Sequence, residues 1–184
     1  MNISSTTEGF SLLYDEKTAV KMLIDAGYDA IDLGCFEMFG DDNCPKLQPN
    51  YKEYAAELKK IADDGGVYFN QAHAPFPSSI VDEEQNKVIF QKILRSIEFA
   101  SLIGVRNIIV HPKQHLTYRD NKTYLKELNL EFYNSLIHYA KDYNIHIAIE
   151  NMWQYNKDHM ITHSTCSTVK EFKEYLDMLD SEWI

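Results

Sequence analysis

The segment Gly104-Val-Arg-Asn-Ile-Ile-Val-His-Pro112 decides the fold, because a helix-stopping glycine, a short apolar strand and a histidine follow one another. The same order recurs in Gly65-Gly-Val-Tyr-Phe-Asn-Gln-Ala-His73 and in Asn144-Ile-His-Ile-Ala-Ile-Glu150. Gly65, Gly104 and Asn144 tolerate a left-handed backbone and are expected to close the preceding helix, as Gly27 does before Tyr28–Gly34. A unit that returns about every 40 residues indicates a repeated supersecondary element.

Three polar side chains share one phase of this repeat, at the ends of three separate strand-like segments. They are His73, His111 and Glu150. Strands that alternate with long helices predict parallel βα units, in which ligands bind at the carboxyl ends of the strands. The three residues are therefore expected to meet at one functional site.

Apolar periodicity predicts the remaining elements of a single domain over residues 1–184. Strands are expected over 1–6, 28–34, 67–73, 106–111 and 145–150, and loops over 41–50 and 152–167. Helices are expected over 16–26, 51–64, 83–103 and 122–143, with a last helix capped by Thr168 that buries Val169, Phe172, Leu176 and Leu179.

Two α/β architectures accommodate five strands and five helices. One is a complete doubly wound sheet; the other is an incomplete barrel. The glycine-rich phosphate loops of many doubly wound folds are absent, and prolines and histidines at the strand ends favour the barrel. A closed (β/α)8 barrel takes about 250 residues. The expected fold class is therefore a parallel (β/α) TIM-barrel type, incomplete, with about five βα units of the eight.

Composition narrows the class of partner. The chain has 184 residues, 45% of them hydrophobic, and a formal net charge of −10. An acidic chain without a cluster of Lys and Arg argues against nucleic acid, whose binding needs cationic side chains. The segment 1–8 lacks a signal-peptide pattern and no apolar run is long enough for a membrane span, so a cytoplasmic protein with no membrane partner is expected. Cys35, Cys44 and Cys166 suit reduced thiols.

Four short motifs carry a resemblance to a known superfamily. They are Asp29-Ala-Ile-Asp-Leu33, Gln71-Ala-His-Ala-Pro-Phe76, Val110-His-Pro112 and Ile147-Ala-Ile-Glu-Asn151. In their order and spacing, and over essentially the whole chain, the sequence resembles the xylose isomerase-like TIM barrels, in particular the sugar phosphate isomerase/epimerase group. The family's remaining metal ligands and its second catalytic glutamate would lie beyond Ile184, so the resemblance implies a chain truncated on its C-terminal side.

The resemblance also implies roles for the three strand-end residues. Glu150 would bind a divalent metal ion (Mn, Mg, Co or Zn, of unknown identity) and act as a catalytic acid/base. His73 and His111 would bind the substrate. The implied reaction is proton transfer next to the carbonyl of a sugar or sugar phosphate, as in a metal-dependent isomerase or epimerase. Glu150 alone supplies at most two oxygen ligands, so weak or absent activity is expected unless a second chain completes the site.

Two alternatives remain open. In an endonuclease IV-like zinc phosphodiesterase, His73, His111 and Glu150 would all bind zinc. In a non-catalytic half-barrel, the uncovered sheet edges would drive self-association, so a homo-oligomer is expected.

Several residues also have a purely structural interpretation. Glu150 could cap a helix, and His73 could be a hydrogen-bonded core histidine. His115 is expected to be a solvated loop residue. Trp153 and Tyr155 would either form a wall of a sugar-sized pocket or anchor their loop.

Overall fold

The computed structural model describes residues 2–11 and 13–184. In these residues five parallel strands form one sheet, and a separate antiparallel hairpin follows it. The sheet strands are β1 (Ser4–Thr6), β2 (Ala30–Gly34), β3 (Tyr68–His73), β4 (Asn107–Val110) and β5 (His146–Ile149), and the hairpin strands are β6 (Trp153–Tyr155) and β7 (Ile161–His163). The helices are α1 (Glu16–Asp25), α2 (Glu37–Gly40), α3 (Tyr51–Asp64), α4 (Glu83–Leu102), α5 (Tyr118–Asp142) and α6 (Val169–Leu179).

Strand order identifies the architecture. The sheet runs β1-β2-β3-β4-β5, so every crossover leads to the next strand in sequence and the order never reverses. A doubly wound sheet reverses its order at a switch point, whereas a TIM barrel does not. The fold is therefore a segment of a (β/α) barrel, and the expected incomplete TIM-barrel class is confirmed.

The helices pack on the sheet through the apolar faces that their periodicity predicts. Ala19, Val20 and Leu23 of α1 are buried, as are Ala55, Leu58 and Ala62 of α3, Ile93, Ile97 and Ala100 of α4, and Leu125, Phe132 and Leu136 of α5. Together with the apolar residues of the strands they form one continuous core. Burial of apolar surface at about 25 cal/mol per Å² is the main stabilising term of such a core.

The last helix buries only part of the expected apolar face, since Leu179 is buried and Phe172 is partly buried. Val169 and Leu176 are exposed, whereas Glu171, Tyr175 and Leu179 are buried. The cause is polar, because the hydroxyl of Tyr118 donates a hydrogen bond of 2.7 Å to Glu171 and draws that side of α6 inward. Thr168 caps the helix as predicted, since its hydroxyl accepts from the backbone N–H of Glu171.

The left-handed caps are confirmed at three of the four expected positions. Gly27, Gly104 and Asn144 have φ angles of 85°, 88° and 50°. Gly65 was the wrong residue, because it keeps a right-handed φ of −82° and its neighbour Gly66 takes the left-handed conformation at 73°. A Cβ on Gly65 would lie 2.6 Å from Cδ1 of Ile24, so this glycine instead permits close packing of α3 on α1.

Three element boundaries differ from the predicted ones. Helix α5 begins at Tyr118 and contains a kink at Asn121, where the sequence predicted a start four residues later. The expected loop over 41–50 contains a 3-10 turn at Pro45–Leu47. The expected loop over 152–167 contains the β6–β7 hairpin, whose strands are too short and too polar to show an alternating pattern.

One buried cation joins the loop after β2 to the helices. Lys46 is 1% exposed and forms ion pairs with Glu16 and Glu37. Burial alone would discharge such an amine, but the two carboxylates keep its pKa well above the ordinary value. Loss of one member would leave a buried charge without its partner, so the cluster holds the loop in place.

Two further observations concern the cysteines and the apolar character of the helices. The three cysteines are free and buried, and burial raises the pKa of the Cys44 and Cys166 thiols to about 12. Within residues 2–11 and 13–184, helices are either too short or too polar to cross a membrane.

Candidate functional site

Four neighbouring strands bring four polar side chains together at the carboxyl-terminal end of the sheet. Asp32 lies in β2, His73 ends β3, and His111 and Glu150 directly follow β4 and β5. Nδ1 of His73 lies 3.0 Å from Oδ1 of Asp32, the two imidazole centres are 5.9 Å apart, and Nε2 of His111 lies 2.8 Å from Oε2 of Glu150. The order acid, imidazole, imidazole, acid follows from the strand order. We call these four side chains the strand-end row.

A bulge between β2 and β3 sets the register of this row. Ile31 pairs with Phe69 but Asp32 pairs with Gln71, so Asn70 is an extra residue on β3. Bulges redirect side chains, and this one places Gln71 beside Asp32. The amide of Gln71 donates a hydrogen bond of 2.8 Å to Oδ2 of Asp32, while Oδ1 faces His73. Both oxygens of the Asp32 carboxylate therefore have a hydrogen-bond partner.

Asp32 determines the protonation of His73. Burial opposes a charge on the imidazole, but the hydrogen bond and the charge of Asp32 outweigh it, with further contributions from Glu150 and Glu8. The pKa of His73 is consequently raised above its ordinary value. Since Nδ1 is engaged by Asp32, Nε2 is the ring nitrogen that remains for a ligand.

His111 has the opposite electrostatic character. Burial, together with the nearby charge of His73, lowers the pKa of His111 to about 4. Oε2 of Glu150 lies 2.8 Å from Nε2 of His111, at ion-pair distance but without hydrogen-bond geometry. Nδ1 of His111 and Oε2 of Glu150 are both buried without a hydrogen-bond partner. The pKa values of two imidazoles 5.9 Å apart are therefore shifted in opposite directions.

Aromatic rings pack around the two histidines. Phe36 stacks on His73 with ring centres 5.7 Å apart and lies 5.8 Å from the ring of His111. Phe76, in the Pro-Phe-Pro segment after β3, lies 4.7 Å from the ring of His111. These rings restrict water around the imidazoles, which strengthens the electrostatic interactions of the row.

A cavity of about 590 Å³ opens beside the Glu150 end of the strand-end row. It extends between the segment after β4 and the β6–β7 hairpin. The lining residues are Phe76, His111, Gln114, His115, Leu116, Thr117, Glu150, Asn151, Met152, Trp153, Gln154 and Tyr155. Its volume falls within the usual range of small-ligand sites. His73 and Asp32 do not line it.

The donor set for a metal is incomplete. Among the side chains that the structure describes, no three His, Cys, Asp or Glu residues are grouped closely enough to hold a metal ion. Oε2 of Glu150 has the character of a ligand, because it is a buried carboxylate oxygen without a hydrogen-bond donor. A hard divalent cation needs several oxygen or imidazole ligands, so Glu150 and His111 form at most part of a site.

Sequence reasoning identified the three residues at strand ends but missed their partners. Asp32 and Gln71 were overlooked, although an acid inside the apolar segment Ala30–Gly34 was a usable signal. His115 was interpreted as a solvated residue, and this was wrong. It is half-buried, and its Nδ1 lies 2.6 Å from the hydroxyl of Ser79.

The family model described as xylose isomerase-like TIM barrel matches residues 20–184, and the chain belongs to that family. No curated protein matches the sequence significantly.

Solved structures with this fold include sugar epimerases. A D-tagatose 3-epimerase-like protein superposes with a TM-score of 0.75 at 20% identity, over 100% of this chain and 62% of its own. The 3-keto-D-glucoside 4-epimerase of E. coli gives 0.70 at 14% identity, over 100% and 66%. A xylose isomerase-like TIM barrel protein of Mycobacterium smegmatis in complex with magnesium gives 0.66 at 16% identity, over 99% and 62%. The chain thus spans less than two thirds of these structures, and at such identities the likeness concerns the fold.

Proposed function

We propose that this chain carries part of the active site of a sugar isomerase or epimerase, in which Glu150 moves a proton at the carbon next to a carbonyl. The observation that carries the proposal is the state of Glu150. Its Oε2 is buried at a cavity of sugar size, and its 2.8 Å contact with Nε2 of His111 does not have hydrogen-bond geometry, while the rest of the side chain is partly exposed to the cavity. A structural carboxylate in a helix cap or surface ion pair would have its hydrogen bonds satisfied.

The proposed chemistry assigns one task to each side chain. Glu150 accepts the proton from the carbon, which leaves an enediolate. In an isomerisation the same carboxyl group returns the proton to the neighbouring carbon, whereas in an epimerisation a second acid from outside the described residues protonates the opposite face. His73, whose Nδ1 is engaged by Asp32, has Nε2 open for an oxygen of a substrate that extends from the cavity along the strand-end row. His111 stays neutral and contacts the substrate within the cavity. The substrate class is a small sugar or sugar phosphate.

A divalent metal ion belongs to the same proposal. When bound, it would withdraw charge from the carbonyl oxygen and so favour the loss of the neighbouring proton. Glu150 is the ligand that this chain supplies to it. Two observations support this role: the carboxylate oxygen without a partner, and the magnesium complex of the Mycobacterium smegmatis protein that shares the fold. Further ligands would come from outside the described residues.

Metal stoichiometry tests this assignment. Because Glu150 and His111 supply only part of a site, purified chain equilibrated with excess Mn²⁺ is expected to bind the ion weakly, as measured by elemental analysis after equilibrium dialysis, and the Glu150→Ala variant to bind less. Glu57→Ala is the matched control, because that carboxylate is exposed on α3 and pairs with Lys17. Equal metal in wild type and Glu150→Ala would overturn the ligand role.

Proton exchange tests the base separately. In D₂O, the wild type with Mn²⁺ is expected to exchange the hydrogen next to the carbonyl of D-fructose, followed by proton NMR. Glu150→Gln should slow this exchange by a factor of about 10² to 10⁴, the usual contribution of a general base. An unchanged exchange rate in Glu150→Gln would refute its role as the base.

The zinc phosphodiesterase alternative has less support. It needs His73, His111 and Glu150 together on one metal, yet the described residues contain no three-ligand group. The self-associating half-barrel remains a hypothesis about assembly.

A further inference from the structure

Two exposed aromatic side chains line the cavity beside Glu150. Trp153 is 50% exposed and Tyr155 is 60% exposed, although both are large apolar residues that normally gain free energy from burial. They alternate with Gln154 on β6 and therefore share one face of the strand. Their rings meet edge to face with centres 4.9 Å apart, and both line the cavity that contains His111 and Glu150.

Gln154 holds this strand in position. Its side-chain amide donates to the carbonyl oxygens of Gln114 and Leu116 at 3.0 and 2.8 Å, and its oxygen accepts from the backbone N–H of Tyr118 at 3.0 Å. These three hydrogen bonds tie β6 to the segment that follows β4. The aromatic face is consequently built into the cavity wall.

The polar groups of the cavity suit an uncharged ligand. His115 contributes an imidazole whose Nδ1 is engaged by Ser79, so its Nε2 is the ring nitrogen left for a hydroxyl group. None of the described residues that line the cavity is a lysine or arginine, and Glu150 is acidic. Nearby cations are occupied elsewhere: Lys113 lies over the ring of Phe132, and Arg119 pairs with Asp120. A phosphate group would therefore find no cationic side chain among these lining residues.

We propose that Trp153 and His115 form a specificity-determining subsite for an unphosphorylated sugar, whose apolar C–H face packs on Trp153 while a hydroxyl group binds His115. The inference rests on the proposed function, because it names the substrate class of the same cavity. It commits to a neutral sugar. Aromatic rings favour such a face because it is apolar, and the neutral polar lining matches hydroxyl groups.

Chemical-shift titration with D-fructose and D-fructose 6-phosphate tests the subsite directly. The chain has two tryptophans, and Trp183 serves as an internal control because it stacks on His146 and is not among the cavity-lining residues. The indole N–H signal of Trp153 should move on addition of D-fructose, whereas that of Trp183 should not. Trp153→Ala should weaken the affinity for D-fructose about tenfold, and Trp183→Phe should leave it unchanged.

Two further variants guard against misinterpretation. Trp153→Phe keeps an aromatic face and should retain most of the affinity, which separates a lost contact from a misfolded hairpin. His115→Ala should also weaken binding of D-fructose while leaving the Glu150-dependent metal stoichiometry unchanged.

Several outcomes would overturn the subsite. One is unchanged affinity for D-fructose in Trp153→Ala, and another is binding of D-fructose 6-phosphate ten times tighter than D-fructose. A third is a change of oligomeric state in Trp153→Ala at constant sugar affinity, which would make the aromatic face a protein interface. Metal retention and proton exchange that depend on Glu150 would survive each of these results, so failure of the subsite and failure of the proposed function are distinguishable.

Discussion

Asp32 illustrates how much a single residue contributes to the chemistry of this end of the sheet. It lies in the middle of a buried strand, where an acid is costly unless its hydrogen bonds are satisfied. Gln71 and His73 satisfy them from the neighbouring strand. The acid thereby sets both the charge of His73 and the ring nitrogen that a ligand would meet.

We expect Asp32→Asn to lower the pKa of His73, because the variant removes the charge that outweighs the burial of the ring. A pH titration of the His73 imidazole by NMR measures this shift. Asp42→Asn is the matched control, since it removes an exposed carboxylate that pairs with Lys92. An unchanged pKa of His73 in Asp32→Asn would contradict the proposed coupling.

The same pair predicts a pH dependence of stability. Because the folded-state pKa of His73 is raised, the fold stabilises the protonated ring. This contribution is fully present below the unfolded-state pKa of about 6.5 and is lost as pH rises through the folded-state pKa. Urea unfolding of the wild type should give a lower free energy of unfolding above this pH window than below it. The difference between the two pH values should be smaller in Asp32→Asn.

At the scale of elements, the turn from α3 to β3 depends on two glycines for different reasons. Gly66 has a φ of 73°, a region that L side chains rarely adopt, whereas Gly65 has an ordinary φ but no room for a Cβ beside Ile24. One is needed for backbone conformation and the other for close approach.

We expect Gly66→Ala to lower the free energy of unfolding by about 1–2 kcal/mol, both in the wild type and in an Ile24→Ala background, because the cost comes from the backbone.

Gly65→Ala should lower the free energy of unfolding by about 1–3 kcal/mol through overpacking, and by much less in an Ile24→Ala background, where the clashing atoms are gone. Urea unfolding of the four variants in a double-mutant cycle gives the coupling. Equal costs of Gly65→Ala in both backgrounds would show that steric contact is not the cause.

The β6–β7 hairpin is attached to the rest of the fold mainly by polar contacts. Three of them come from Gln154, and a fourth joins the hydroxyl of Ser164 to the side chain of Gln114 at 2.8 Å. An element of three-residue strands has little apolar area of its own to hold it.

Gln154→Ala should therefore loosen the hairpin locally. With a net contribution of about 1 kcal/mol for each hydrogen bond, local opening is expected to become easier by about 1–3 kcal/mol. Hydrogen exchange of the Tyr118 and hairpin amides measures it, with Gln91→Ala, an exposed glutamine on α4, as the control. Unchanged protection of the Tyr118 amide would refute the role of Gln154 as the attachment.

At the scale of the whole molecule, the sheet is open at both sides. β1 pairs with β2 on one side, and no other described strand pairs with it. At the opposite side the backbone N–H of Ile147 in β5 donates to the carbonyl of Trp183 at 2.8 Å, so a short stretch of chain lies where a further strand would pair. Open strand edges are templates for pairing with another chain.

We expect the isolated chain to self-associate through these edges. Light scattering during size-exclusion chromatography should give a mass above the 21.4 kDa of a single chain, and the mass should fall on dilution. A monodisperse monomer at all concentrations would contradict this expectation. It would indicate that side chains of the same chain protect the strand edges.

The sequence by itself determined the repeated βα unit, the helices and strands within a few residues, and three of the residues of the candidate site. Local periodicity and helix caps carry that information, because they depend on neighbours only a few positions apart. The tertiary structure decided the strand order, which distinguishes a barrel segment from a doubly wound sheet. It also placed Asp32 beside His73, 41 positions away, through a bulge at Asn70. The hairpin likewise owes its position to contacts with the segment after β4. Such pairings depend on the register between distant strands, and the period of a single strand contains no information about it.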